Sequence, residues 1–195
     1  MAALKLIVGL GNPGAQYDRT RHNAGFEYVD ELLAKAGGQW QLDSKYQAEM
    51  AKVMLGGRTV WLMKPMTFMN RSGQSVATFA NFYKIDAQQI LVAHDELDLA
   101  PGVARFKLGG GHGGHNGLRD IIARLGNIKD FYRLRLGIGH PGSAPEVVNY
   151  VLGKAHPDDQ IRLARAIDAA IAETDKVVAG DWQKAMNQLH QFQAD

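Results

Sequence analysis

The chain has 195 residues, of which 46% are apolar, 22% are charged and none is cysteine. A chain of this length is expected to form a single domain whose core needs no covalent staples. Without cysteine there is no disulfide, no thiol nucleophile and no thiolate metal site, which fits a protein of the reducing cytoplasm. No segment approaches the roughly 18 apolar residues of a membrane-spanning helix, so we expect no membrane partner.

Charge and glycine are unevenly distributed along the chain. The net charge of +2 argues against a nucleic-acid partner, but residues 101–155 hold eight basic and only three acidic side chains. This stretch is a candidate phosphate-binding face, although an ordinary solvated surface would have the same charges. Twelve of the 22 glycines lie in three segments, residues 9–14, 109–117 and 137–142. Either three tight turns or one shared site would explain these clusters.

The first third of the chain predicts a strand, a helix and a hairpin. An apolar run over residues 4–10 is typical of a buried strand. Apolar positions from Phe26 to Ala36 recur at helical spacing, and Gly37 provides a natural stop. Strands near 49–55 and 58–63, separated by two glycines, then form the hairpin.

The middle of the chain predicts a second helix followed by a strand. Asn70 or Ser72 is expected to cap this helix, whose apolar stripe extends to Tyr83. Residues 90–93 form another buried run, which ends at the polar segment His94-Asp-Glu96.

The remaining elements imply a mixed sheet rather than a purely parallel one. Residues 103–108 and 132–138 alternate between apolar and polar side chains, and a short helix over 118–125 lies between them. Two helices follow, one opening at Asp158 and one after Gly180. Their apolar faces are expected at Ile161, Ala164, Ile167 and Ile171, and at Trp182, Ala185, Met186 and Leu189.

The segment Gly9-Leu-Gly-Asn-Pro-Gly14 matches the glycine pattern of dinucleotide-binding proteins, which keeps a nucleotide-dependent oxidoreductase among the alternatives. Pro13 removes an amide donor, and polar residues up to Arg21 delay the helix whose N-terminus should meet the pyrophosphate. The acidic residue expected about 20 positions further on should end a second strand. Asp30 and Glu31 lie instead inside the predicted helix, which disfavours this interpretation.

Two other motifs point only weakly to chemistry. His112 and His115 could bind a metal, but zinc needs three or four ligands. No third ligand lies near them in the sequence, so we expect two hydrogen-bonded or solvated loop histidines and no metal site. Ser72 lacks the Gly-x-Ser-x-Gly elbow because position 70 is asparagine, so a serine-hydrolase triad is not expected.

One set of residues suits hydrolysis by water. His22 opens the first helix, and Asp95 stands at the carboxyl end of a buried strand, where open α/β sheets place their sites. A histidine oriented by a carboxylate is a general base near neutral pH. Asn12, Asn70 and Asn116 offer neutral donors and acceptors for an amide or a developing oxyanion, although each alone would equally suit a turn or a helix cap.

Seven motifs follow one another along the chain. The first three are Val8-Gly-Leu-Gly-Asn-Pro-Gly14 with Tyr17, Arg21-His-Asn-Ala-Gly25, and Lys64-Pro-Met-Thr-Phe-Met-Asn70 with Ser72-Gly73. The others are His94-Asp-Glu-Leu-Asp98, Gly109-Gly-Gly-His-Gly-Gly-His-Asn-Gly117, Arg133-Leu-Arg-Leu-Gly-Ile-Gly-His-Pro-Gly142 and Tyr150-Val-Leu-Gly153. With these motifs the chain resembles the bacterial peptidyl-tRNA hydrolase family over essentially its full length. The resemblance implies a single α/β domain over residues 1–195, with a twisted mixed sheet flanked by helices.

The resemblance also implies an activity, namely hydrolysis of the ester that joins a peptide to the 3′-terminal ribose of tRNA. By similarity, His22 activates water, and Asp95 holds its tautomer and stabilises the protonated ring. Asn12 is similar to the family residue that distinguishes a blocked, peptide-like amine from a free one. The family recycles tRNA from peptidyl-tRNA that drops off the ribosome, is usually monomeric, and needs no metal or other cofactor.

Substrate-binding residues follow from the same resemblance. Tyr17 and Phe68 would pack on the tRNA end or the nascent residue, and Asn70 and Asn116 would bind the peptide backbone and position the water. The candidate contacts to acceptor-stem phosphates are Arg105, Lys107, Arg119 and Arg135.

The chain departs from many family members at one loop. Those members carry a lysine after His-Pro-Gly, whereas this chain has Ser143-Ala-Pro-Glu146, which makes this loop a weaker candidate for phosphate binding. A non-catalytic RNA-binding module on the same scaffold is the alternative function. The intact His22, Asp95 and three asparagines argue against that alternative.

Overall fold

A mixed seven-stranded sheet forms the centre of the computed structural model, which describes residues 3–195. The strands are β1 (Leu6–Gly9), β2 (Gln41–Asp43), β3 (Ala48–Leu55), β4 (Arg58–Pro65), β5 (Ile90–Glu96), β6 (Ala104–Leu108) and β7 (Tyr132–Gly137). They are ordered β2-β3-β4-β1-β5-β7-β6. The β4-β1, β1-β5 and β5-β7 pairs are parallel, and the β2-β3, β3-β4 and β7-β6 pairs are antiparallel. The expected single α/β domain with a mixed sheet is confirmed.

Helices cover both faces of this sheet. They are α1 (Ala24–Ala36), α2 (Ser72–Tyr83), α3 (Asn116–Arg124), α4 (Val147–Val151), α5 (Pro157–Ile171), α6 (Thr174–Ala179) and α7 (Trp182–Leu189). Because successive side chains of a strand point to opposite faces, β1 contributes to two cores. Ile7 packs in the core with α1, α5, α6 and α7, whereas Leu6 and Val8 pack in the core with α2 and α3. No helix within residues 3–195 is long and apolar enough to cross a membrane.

The four parallel strands β1, β4, β5 and β7 end at the same edge of the sheet, and helix α1 starts in close contact with that edge. A Cβ on Gly25 would lie 2.3 Å from the carbonyl oxygen of Ala93 and 2.5 Å from the amide nitrogen of Leu10. Only glycine permits so close an approach. The 3-10 turn Arg21–Asn23, which directly precedes α1, therefore lies against the ends of β1 and β5.

Two local predictions are wrong, the second only in part. Neither Asn70 nor Ser72 caps α2, because Asn70 lies in a 3-10 turn and the Ser72 hydroxyl donates back to the carbonyl of Met69. The buried face of α5 is only partly the expected one, since Ile167 is buried as expected but Ile161 is 51% exposed. The sequence of α5 contains two overlapping apolar series at helical spacing, and the structure buries Leu163, Ala166, Ile167 and Ala170.

Candidate active site

A cavity of about 590 Å³ opens at the carboxyl ends of the parallel strands. Its volume lies within the usual range of small-molecule sites, about 300–1,000 Å³. One part is polar and lies next to β1 and β5, another is charged and lies next to β7, and α4 supplies an apolar wall. Of the predicted site residues, the cavity brings together Asn12, His22, Phe68, Asn70, Asp95, Lys107, Asn116 and Arg135.

Asp95 lies at the centre of the polar part and bridges two histidines. Its Oδ2 is 2.8 Å from His22 Nδ1, and its Oδ1 is 2.8 Å from His115 Nε2. His115 Nδ1 accepts the N–H groups of Gly117 and Leu118 at the start of α3, so the ring proton of neutral His115 is on Nε2. Both oxygens of Asp95 are therefore acceptors, and His22 carries its proton on Nδ1. The Nε2 lone pair of His22 is left for the cavity that this residue lines.

The charges of this cluster keep Asp95 ionised and make His22 more basic. Burial alone would raise the pKa of Asp95, but the two histidines hold it well below its usual range. Burial alone would lower the pKa of His22, but the negative charge of Asp95 and the hydrogen bond outweigh burial, so this pKa is raised above 6.5. A buried histidine paired with a carboxylate in this way has the properties of a general base.

A third histidine, His94, supports the backbone of Asp95. Its Nδ1–H donates to the carbonyl oxygen of Asp95 at 2.8 Å. Burial first, and the neighbouring His115 second, lower the pKa of His94 to about 4. His94 is therefore neutral near pH 7, and adds no positive charge beside the pair formed by His22 and Asp95.

The side-chain amide of Asn12 is held in one orientation. Its Oδ1 accepts the N–H of Met69 at 2.7 Å. The backbone N–H and carbonyl of Asn12 are both hydrogen-bonded by the side chain of Asn23, at 2.8 and 3.0 Å. With Oδ1 occupied by a backbone donor, the Nδ2 amide group of Asn12 is available to donate a hydrogen bond into the cavity.

Aromatic and amide side chains form the rim near the polar part. Asn70 and Asn116 are both exposed and line the cavity, and Asn116 Oδ1 accepts a bond from Arg119 at 3.1 Å. Phe68 lines the cavity and is 58% exposed. Tyr17 does not line it, but its ring lies edge-on to Phe68 with the ring centroids 6.3 Å apart.

The predicted phosphate-binding residues lie at different distances from the cavity. Lys107 and Arg135 line it, whereas Arg105 lies next to Lys107 on β6 without lining it, and Arg119 lies outside on α3. Arg135 Nε donates to Glu96 Oε1 at 2.9 Å.

Three side chains could form a metal site, because ligand atoms of His22, Asp95 and His115 all lie within 4.8 Å of one another. The group does not include His112, whose Nδ1 accepts the N–H of Gly114, so it is not the histidine pair considered from the sequence. The protonation pattern still disfavours a metal. His115 Nε2 carries a proton, and each oxygen of Asp95 accepts a hydrogen bond, whereas metal ligands must be deprotonated and free to coordinate.

Comparisons with known proteins show the family to which the chain belongs. The sequence model of the peptidyl-tRNA hydrolase family matches residues 6–195. The chain belongs to this family. Peptidyl-tRNA hydrolase of Shewanella halifaxensis is 59% identical over 194 residues, covering 100% of each chain, and that of Stenotrophomonas maltophilia is 58% identical over 190 residues, covering 97% of this chain and 98% of the relative. The crystal structure of peptidyl-tRNA hydrolase from Acinetobacter baumannii matches with a TM-score of 0.95 at 50% identity, covering 97% of this chain and 96% of the other.

Sequence reasoning missed three residues that shape this peptidyl-tRNA hydrolase site. His115 and Asn23 were present in the recognised motifs, but their partners are distant in the chain or are backbone groups. Arg133 was expected on a polar strand face, yet it is only 3% exposed. Its guanidinium donates to the carbonyls of Gly110 and Gly111 and so holds the glycine-rich loop beside the cavity. Alternation along β7 indicated its face but not this burial.

Proposed function

We infer that the protein hydrolyses the ester between a peptide, or an N-blocked aminoacyl group, and the 3′ ribose of tRNA. The observation that carries this inference is the buried pair of His22 and Asp95, whose free Nε2 lies in the same cavity as the fixed amide of Asn12. Family membership supports the same reaction. The substrate belongs to translation, which places the protein in the cytoplasm.

His22 acts as the general base in this reaction. Its Nε2 takes a proton from water while the water oxygen adds to the ester carbonyl carbon. Asp95 stabilises the imidazolium that forms, because the carboxylate is ionised and 2.8 Å from Nδ1. When the tetrahedral intermediate collapses, the bond from carbon to the ribose oxygen breaks, and His22 returns the proton to that oxygen. Free peptide and free tRNA result, without a metal or other cofactor.

Asn12 selects the blocked substrate. The carbonyl of a peptide or an N-acyl group can accept a hydrogen bond from Nδ2 of Asn12, whereas the ammonium of a free aminoacyl ester has only donors to offer. Two donors facing each other in a buried site leave both groups unsatisfied, which costs about 1–3 kcal/mol. The blocked ester is therefore favoured through the orientation that Met69 imposes on the amide.

The peptide and the tRNA occupy different parts of the cavity. Asn70 and Asn116 bind the peptide backbone and position the water, and Phe68 with Tyr17 packs on the nascent residue or the tRNA end. Phosphates of the acceptor stem lie at the charged part, where Lys107 and Arg135 are found. Arg105 and Arg119 flank this region and contact phosphates further along the stem. The protein binds its substrate as a monomer.

The deciding experiment compares an N-blocked aminoacyl-tRNA with its unblocked counterpart, following ester cleavage by the purified protein. We expect cleavage of the blocked form alone. His22→Ala should lose about 10²–10⁴ in rate, the range for a general base, whereas His156→Ala, which changes an exposed histidine at the start of α5, should retain full activity. Tight binding of tRNA without cleavage by the wild type would instead indicate the non-catalytic RNA-binding module.

A further inference from the structure

Helix α2 starts without a cap of its own. Arg71, the residue before it, makes no capping hydrogen bond with its side chain. The N–H of Gly73 in the first turn is instead accepted by Oδ2 of Asp120 in α3, at 2.8 Å. A carboxylate at this position satisfies an unpaired amide and interacts favourably with the helix dipole. Asp120 is thus a cap that one helix supplies to its neighbour.

Close packing brings the first turns of α2 and α3 together. A Cβ on Gly73 would lie 2.3 Å from the backbone oxygen of Asp120, and a Cβ on Gly117 would lie 2.7 Å from Met69 Sδ. Glycine at both positions lets the two segments touch. The hydrogen bond from Gly73 to Asp120 then fixes how these two turns are oriented, because it joins a backbone group of one to a side chain of the other.

The two asparagines at the cavity rim lie next to these contacts: Asn70 belongs to the 3-10 turn that directly precedes α2, and Asn116 is the first residue of α3. Asn70 lies three residues before Gly73, and Asn116 lies four residues, about one helical turn, before Asp120. Both asparagines line the cavity. We propose that Asp120 is a positioning residue, which sets the spacing between Asn70 and Asn116 and thereby the binding of the peptide. This proposal rests on the proposed function, in which these asparagines hold the peptide backbone.

A merely structural cap would stabilise the fold without affecting substrate binding, and the chain offers a matched control for that role. Asp86 caps the 3-10 turn Ala87–Gln89, which precedes β5 at the end of the strand opposite Asp95. Asp86→Ala therefore removes a cap of the same residue type far from the cavity. Asp120 also lies 3.6 Å from Arg124, through Oδ1, so Arg124→Ala removes that ion pair and leaves the cap bond.

The test measures KM, kcat and the thermal midpoint for Asp120→Ala, Asp120→Asn, Asp86→Ala and Arg124→Ala with an N-blocked aminoacyl-tRNA. We expect Asp120→Ala to raise KM about 10-fold, within the roughly 10²-fold that a displacement of 1 Å can cost. The pKa of the acidic limb of its pH–rate profile should stay near that of the wild type, since the pair of His22 and Asp95 is untouched. Asp120→Asn should restore most of the affinity, because its side-chain oxygen still accepts the Gly73 N–H.

Asp86→Ala should lower the thermal midpoint with KM unchanged, and Arg124→Ala should leave KM unchanged. The proposal is overturned if Asp120→Ala lowers only the thermal midpoint, if the asparagine variant fails to restore KM, or if Arg124→Ala reproduces the defect. Binding of an amide-linked, uncleavable N-blocked aminoacyl-tRNA gives the same comparison without catalysis. If the wild type binds this analogue but does not hydrolyse the N-blocked aminoacyl-tRNA ester, the proposed function is contradicted. The affinities of the variants for the analogue would still decide the role of Asp120.

Discussion

Replacing Asp95 with asparagine should invert the tautomer of His22. His115 Nδ1 is occupied by two backbone N–H groups, so its Nε2 must remain a donor to residue 95. The oxygen of an asparagine side chain would therefore face His115, and its NH2 group would face His22 Nδ1. That nitrogen would become an acceptor, the ring proton would move to Nε2, and no lone pair would point toward water.

The size of the effect follows from the bond that is lost and from the role of the base. A hydrogen bond to a charged group contributes about 1.5–3 kcal/mol, which corresponds to about 10- to 150-fold in rate. Loss of general-base function costs about 10²–10⁴-fold, and the inverted tautomer should place Asp95→Asn in that range. The pKa of His22 should also fall, since the carboxylate that raises it is gone while burial, which lowers it, remains.

The assay is kcat/KM for an N-blocked aminoacyl-tRNA as a function of pH, combined with ¹⁵N NMR of the imidazole nitrogens. In the wild type, activity should rise with pH as His22 loses its proton, with an apparent pKa above 6.5. In Asp95→Asn the NMR spectrum should report a proton on His22 Nε2. The double variant with His115→Ala frees the amide to flip and should be more active than Asp95→Asn alone. A proton still on Nδ1, or a double variant with lower activity, would refute the tautomer argument.

Other predictions concern selectivity, phosphate binding and stability. Asn12→Asp should lower the ratio of blocked to unblocked ester cleavage, measured by competition, because a carboxylate attracts the free ammonium. Lys107→Ala and Arg135→Ala should each reduce the slope of log affinity against log salt by about 1, and an unchanged slope would place the phosphates elsewhere. The N–H of Phe106 donates to His190 Nε2 at 3.1 Å, and burial, followed by the charge of Arg105, lowers the pKa of His190. The unfolded chain therefore binds this proton more readily, so urea denaturation should show stability falling as pH drops below about 6.5, and falling less in His190→Gln.

The sequence indicated where His22, Asp95 and Asn12 lie relative to the strands and helices, but it did not prove that the three converge. Each lies next to the carboxyl end of a buried strand or at the start of the helix that follows, and parallel strands bring those ends to one edge. The hairpin and the glycine stop of α1 were equally local features, and both predictions agree with the structure. Short elements such as β2, α4 and α6 contain too few residues for a clear hydrophobic periodicity, and nothing in the sequence indicated them.

The role of His115 depends on contacts that no local pattern encodes. Its ring is held between two backbone amides of α3 and Asp95, a residue 20 positions earlier in the chain. The glycine-rich loop that carries it follows its path because Arg133, on a strand reached later in the chain, binds two of its carbonyls. The same reason applies to Asn12, whose amide orientation is set by the backbone N–H of Met69. Residue types were therefore predictable, whereas tautomers and amide orientations required tertiary structure.

The basic stretch shows why a charge count overstates phosphate binding. Two arginines of β7 lie beside the cavity, but Arg133 is committed to loop carbonyls and Arg135 is paired with Glu96. Within residues 3–195, Lys107 takes part in none of the ion pairs, and it is exposed at the cavity. Arg135 uses only its Nε for Glu96, so the remaining guanidinium donors could bind a phosphate without displacing Glu96. We therefore propose that phosphate binding at the cavity depends on Lys107 and the outer half of Arg135, two groups from adjacent antiparallel strands.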